Sequence, residues 1–147
     1  YLAMSAQFED MALHGFAQWM KAQAQEEMVH AMKFYGHILE RGGRVQLKAI
    51  AKPQTDWDSP LAMFEAALEH EKHITACINK LVELGAKEND YASRTMLQWF
   101  IDEQVEEESL MEETLAHVQR AADDPGALLA LNHQLGQRAG EITLEEV

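Results

Sequence analysis

The chain has 147 residues, a formal net charge of -13, 47% apolar residues and one cysteine, with a pI near 4.8. That size supports a real hydrophobic core, and that apolar share excludes a disordered chain. The acidic surface repels phosphate backbones, so no nucleic-acid partner is expected; cations are attracted instead. Cys77 alone can form neither an intrachain disulfide nor a thiolate cluster, which suits a reducing, cytoplasmic setting. No apolar run is long enough to span a membrane and no secretory leader is visible, so no membrane partner is expected.

Gly and Pro are sparse while Ala, Leu, Glu, Gln and Met are plentiful, a mix that favours helix over strand. Tyr1-Leu2-Ala3-Met4 reads as the middle of a helix, without a cap, as if the start of that helix were missing. A turn is expected from Glu9-Asp10. A long periodic segment then runs from about His14 to the stop at Gly42-Gly43. Residues 44–60 hold Pro53 and Pro60 and form the longest irregular stretch, long enough to cross the length of a bundle. Ser59 as cap and Pro60 at the first position start the next helix, and Gly85 is expected to end it. Asn89-Asp90 opens another helix, running to about Ala122. Asp124-Pro125 starts a short last one carrying Leu128, Leu131 and Leu135. The expected fold is a single all-α domain over 1–147, a four-helix bundle with one long crossover and a short fifth helix.

Polar residues interrupt the apolar stripes at matched places. The second helix has Phe16, Met20, Gln23, Glu27, His30, Phe34 and Ile38 on one face, at steps of three and four. The third has Phe64, Leu68, Glu71, Ile74 or Thr75, Ile78 and Leu81. The fourth has Leu97, Phe100, Gln104, Glu107, Met111 and Val118. Three helices thus each aim a carboxylate inward, on stripes that offer no Lys or Arg. Burying an unpaired carboxylate costs several kcal/mol, comparable to the net stability of a domain. The group must therefore protonate or bind a cation. Oxygen ligands with one imidazole suit a divalent first-row metal such as iron, and Glu-x-x-His at Glu27 and His30 is the spacing used in di-iron carboxylate bundles. Any one of these motifs is more often a solvated face than a site; their conjunction mid-stripe reverses that. Glu26, Glu103 and Glu106 lie about a quarter-turn away from Glu27, Gln104 and Glu107, and spacing alone reads them as acidic surface. His14, His37, His70, His73, His117 and His133 lie off the stripes or near ends. Cys77, Trp19, Trp57 and Trp99 read as packing residues.

Gln25-Glu26-Glu27-Met28-Val29-His30-Ala31 resembles the second-helix motif of bacterial non-haem ferritins, His70-Glu71 their third, and Glu103-Gln104-Val105-Glu106-Glu107-Glu108 their fourth. Tyr1-Leu2-Ala3-Met4-Ser5 resembles the middle of their first helix, and Arg41-Gly42-Gly43-Arg44-Val45 the start of their long loop. The resemblance covers essentially the whole chain. It implies a ferritin-like bundle, assembled as a homo-oligomeric cage of twenty-four subunits, that oxidises Fe(II) with O2 at a di-iron centre and stores Fe(III) as mineral. By matching position, Glu27 and His30 would bind the first iron, Glu71 would lie between the irons, and Glu107 would bind the second with Gln104 close by. Tyr1 matches a tyrosine beside the centre. Glu26, Glu103 and Glu106 match ligands of a third iron site, with Glu107 shared. One departure stands out: the family's first-helix glutamate lies about two helical turns before the tyrosine, which falls ahead of Tyr1. Met28 follows Glu27 as in haem-binding bacterioferritins, but the fourth helix lacks their second Glu-x-x-His, so haem is not expected. The competing readings are a rubrerythrin-type di-iron peroxidase, against which the single cysteine counts, and a non-catalytic helical scaffold with an incomplete metal site.

Overall fold

The computed structural model describes residues 1–137, and among them every regular element is an α-helix. In chain order they are α1 (Leu2–Asp10), α2 (His14–Glu40), α3 (Pro60–Lys87), α4 (Tyr91–Ala121) and α5 (Pro125–Gly136). The all-α expectation, the crossover and the short last helix are all met. The residues form two compact units: Tyr1–Asp58 with the chain from Asp123 onward, and Ser59–Ala122.

In the first unit α1 and α2 run antiparallel. The Ser5 hydroxyl donates to Ala17 O at 2.8 Å, and Phe8 meets the edge of Phe16 at 5.3 Å between ring centroids. Phe8, Phe16, Trp19 and Met20 are fully buried. The first turn falls later than expected: α1 continues through Asp10, and Ala12 takes the left-handed conformation at φ 57°. Ser5 N donates to Tyr1 O at 2.9 Å, the regular i→i−4 bond of α1. Gly42, at φ 73°, follows the end of α2 as expected of a glycine stop. No helix forms between α2 and α3; Leu47 and Ile50 in that stretch are almost wholly exposed. Its far end is tied to α1 by one side chain. The Gln7 amide donates to Trp57 O at 2.8 Å and accepts from Trp57 N at 3.0 Å.

The short α5 packs on the start of α2. Asn132 Oδ1 accepts from Phe16 N at 2.9 Å, satisfying an amide of the first turn of α2, which has no side-chain cap of its own. Gly15 makes this approach possible: a Cβ there would lie 1.7 Å from Asn132 O. Asp124 caps α5 through Gly126 N and Ala127 N, and Leu131 is its buried residue.

The second unit is the antiparallel hairpin of α3 and α4. Ser59 caps α3 by accepting from Ala62 N, with Pro60 behind it. The expectation that Gly85 ends this helix is corrected, since α3 runs on to Lys87. Gly85 is instead a buried packing residue, where a Cβ would come 3.0 Å from Arg94 Cγ. The left-handed turn is made two residues after the helix, by Asn89 at φ 57°, and Asp90 then caps α4 through Ser93 N. Met63, Phe64, Ala67, Ile78, Leu97, Phe100, Met111 and Val118 supply the apolar burial of this unit.

Candidate metal centre

Helical spacing places the ligand candidates. Glu27 and His30 are three residues apart on α2, so their side chains lie one above the other. His30 Nδ1 lies 3.3 Å from Glu27 Oε2. His30 is buried, whereas the Glu27 side chain keeps 37% of its surface. Mid-stripe burial of Glu27 is thus only half realised. The stripes also fade toward their ends: Phe34 is half-buried, and Ile38 and Leu81 are exposed. These end positions lie beyond the best-packed stretch of each helix.

In the second unit Glu71, Gln104 and Glu107 are all buried, with Glu71 at 1% exposure. The hairpin brings Gln104 directly onto Glu71. Its Nε2 lies 3.2 Å from Glu71 Oε2 and 3.3 Å from the Glu71 carbonyl oxygen. A neutral amide stabilises a buried carboxylate but does not neutralise it. The buried carboxylates of Glu71 and Glu107 are oxygen donors of the kind a divalent first-row cation takes.

Glu103 and Glu26 are half-buried and Glu106 is exposed, in keeping with their quarter-turn offset from the stripes. Tyr1 is half-buried. Among the histidines set aside, His14 is exposed beside Glu9 at 2.5 Å, and His70 and His73 are exposed. Cys77 is only partly buried and lies 3.6 Å from His73 Nε2, so its packing role is smaller than expected. Trp19 is fully buried, while Trp57 and Trp99 are half-buried.

Thr75, one of the two stripe alternatives on the third helix, and Glu108 meet on this hairpin. Thr75 Oγ1 accepts from Gln104 Nε2 at 3.3 Å and donates to Glu108 Oε1. The available signal was position: Thr75 is four residues after Glu71, and Glu108 four after Gln104, one turn along each helix. A cleft of about 420 Å³ along the same hairpin is lined by Thr75, Gln104, Glu108, Ser109 and Glu112, among others.

Helices that carry carboxylates and an imidazole on their buried faces define a class of metal-handling helical proteins, and the comparisons narrow it. The model of the ferritin-like domain family matches residues 1–121. The chain is 41% identical over 138 residues to a bacterial non-heme ferritin of Bacteroides fragilis (strain 638R), spanning 94% of this chain and 86% of that protein. It is 37% identical over 138 residues to that of Staphylococcus aureus (strain USA300), spanning 94% and 83%. Among solved structures, the open pore ferritin of Archaeoglobus fulgidus matches with a TM-score of 0.93 and 44% identity, covering 95% of this chain and 86% of that one. The chain belongs to the ferritin family and has the ferritin-like helical fold.

Proposed function

We propose that this chain is an iron-storage ferritin that oxidises Fe(II) with O2 at a di-iron centre formed by Glu27, His30, Glu71, Gln104 and Glu107. The observation that carries this reading is the burial of Glu71, Gln104 and Glu107 together on the α3–α4 hairpin of a ferritin-family chain. Such a group of buried oxygen donors is stable only with a cation or protons to balance it. Fe(II) is the substrate. Two ferrous ions each give one electron to the same O2 molecule, which takes up two protons and leaves as hydrogen peroxide, and carboxylate oxygens favour the Fe(III) that results. Glu27 and His30 hold the first iron, Glu71 lies between the two, and Glu107 with Gln104 holds the second. Tyr1 stands beside the centre as a hydrogen-bonding and redox-active phenol. Glu26, Glu103 and Glu106 serve a third iron, with Glu107 shared; their greater exposure suits ions in transit. Ferric product is stored as mineral inside a homo-oligomeric cage of twenty-four copies, and the chain acts as one ferritin-like domain in the cytoplasm. The family match running across both compact units supports the single-domain reading.

The test is to add Fe(II) in air to the protein and follow ferric absorbance. Rapid oxidation is expected, with the initial rate sharply reduced in Glu27→Ala and Glu71→Ala. No oxidation, or variants that match the parent rate, would overturn the assignment.

A further inference from the structure

We infer that Thr75 and Glu108 are positioning residues that, together with Glu71, fix which end of the Gln104 amide faces the metal. This inference rests on the assignment of Gln104 to the iron site. The hydrogen-bond chain runs from Gln104 Nε2 to Thr75 Oγ1, and from the Thr75 hydroxyl to Glu108 Oε1. A hydroxyl has one proton to give. Because Thr75 gives it to Glu108, only a lone pair is left for Gln104. The amide must therefore present NH2, not its carbonyl, to Thr75. The same NH2 group lies against Glu71 Oε2 and Glu71 O. Both protons of the amide are directed at α3, and Oε1 is left as its one atom able to bind a cation.

Glu108 controls a competition within α3. A threonine inside a helix ordinarily donates back to the carbonyl four residues earlier. For Thr75 that carbonyl belongs to Glu71, and it is occupied by Gln104 Nε2 at 3.3 Å. Glu108 draws the hydroxyl proton across to α4 and so leaves the Glu71 carbonyl to Gln104. Without an acceptor at position 108 the hydroxyl turns back to its own helix and displaces the amide. Glu108 acts from the half-exposed side of the hairpin, along the cleft, and need not touch the metal to do so.

Four variants of the full chain separate these roles: Thr75→Val, Thr75→Ser, Glu108→Leu and Glu108→Gln. Serine keeps the hydroxyl and glutamine keeps an acceptor oxygen, so both should behave as the parent. Anaerobic Co(II) titration by calorimetry is expected to show the weaker site losing about tenfold in affinity in Thr75→Val and Glu108→Leu, roughly one amide hydrogen bond's effect. Unchanged Co(II) affinity in Thr75→Val, or failure of Thr75→Ser to restore it, would overturn the inference. Metal-free crystal structures decide the point even if the site assignment fails, which loss of no Co(II) site in Glu71→Ala would reveal. Gln104 Nε2 should leave the Glu71 carbonyl in Glu108→Leu, where the freed Thr75 hydroxyl displaces it, and stay on it in Thr75→Ser. A Gln104 side chain unmoved in Glu108→Leu would rule the lock out.

Discussion

At Glu71 the physics of the chain is most concentrated. A carboxylate at 1% exposure, touched by a glutamine amide, sits where a helix of this periodicity would otherwise place a leucine. Replacing Glu71 with Ala should cut the initial rate of Fe(II) oxidation by at least about tenfold, the effect of losing an interaction worth about 1.4 kcal/mol. His70→Ala, one residue away and exposed, should leave that rate unchanged. Stopped-flow ferric absorbance on the two variants checks both. Position on the stripe made Glu71, Gln104, Glu107 and His30 legible in the sequence, because burial on a helix follows a period of about 3.6 residues. Glu27 was legible as a candidate but not its half-exposure. The bond from Thr75 to Glu108 was not legible, since a hydrogen bond between helices depends on their register and not on the spacing within either.

At the scale of elements, caps explain most of the boundaries. Ser59, Asp90 and Asp124 each accept a backbone N–H from the first turn of their helix. Losing the Ser59 cap in Ser59→Ala should cost about 1 kcal/mol, read as a lower midpoint in urea unfolding with an unchanged slope. The start of α2 is different, because its amide at Phe16 is satisfied by Asn132 from α5. Gly15→Ala would drive a Cβ into the Asn132 carbonyl. Overpacking of this kind costs about 1–3 kcal/mol, and α5 is expected to undock. Hydrogen exchange would show it as lost protection in α5 with α3 and α4 unaffected. The crossover has its own tether. Gln7→Ala removes both hydrogen bonds to the Trp57 backbone, so limited proteolysis should cut faster between residues 44 and 58. Gly85 was misjudged for a related reason. Glycine marks a helix end or a close approach with equal ease, and here Arg94 of α4 made it the second.

For the whole molecule, the net charge of -13 and the buried carboxylates point the same way: a surface and an interior that both favour cations. Binding to the folded state alone raises stability. A saturating divalent metal should therefore raise the melting temperature and a chelator should lower it again, as differential scanning calorimetry would show; no change on either addition would remove the case for buried anions in need of a cation. The sequence by itself determined the helical class, the position of the crossover, the Ser59 cap, the starts of the last two helices and the polar positions on the apolar stripes. These follow from local propensity, capping chemistry and periodicity, which act within a few residues of one another. Only the tertiary structure decided that Gly85 packs rather than terminates, that α5 completes the start of α2, and that Thr75 meets both Gln104 and Glu108. Each of those depends on atoms far apart in the chain meeting at hydrogen-bond or van der Waals distance, which a one-dimensional pattern does not encode.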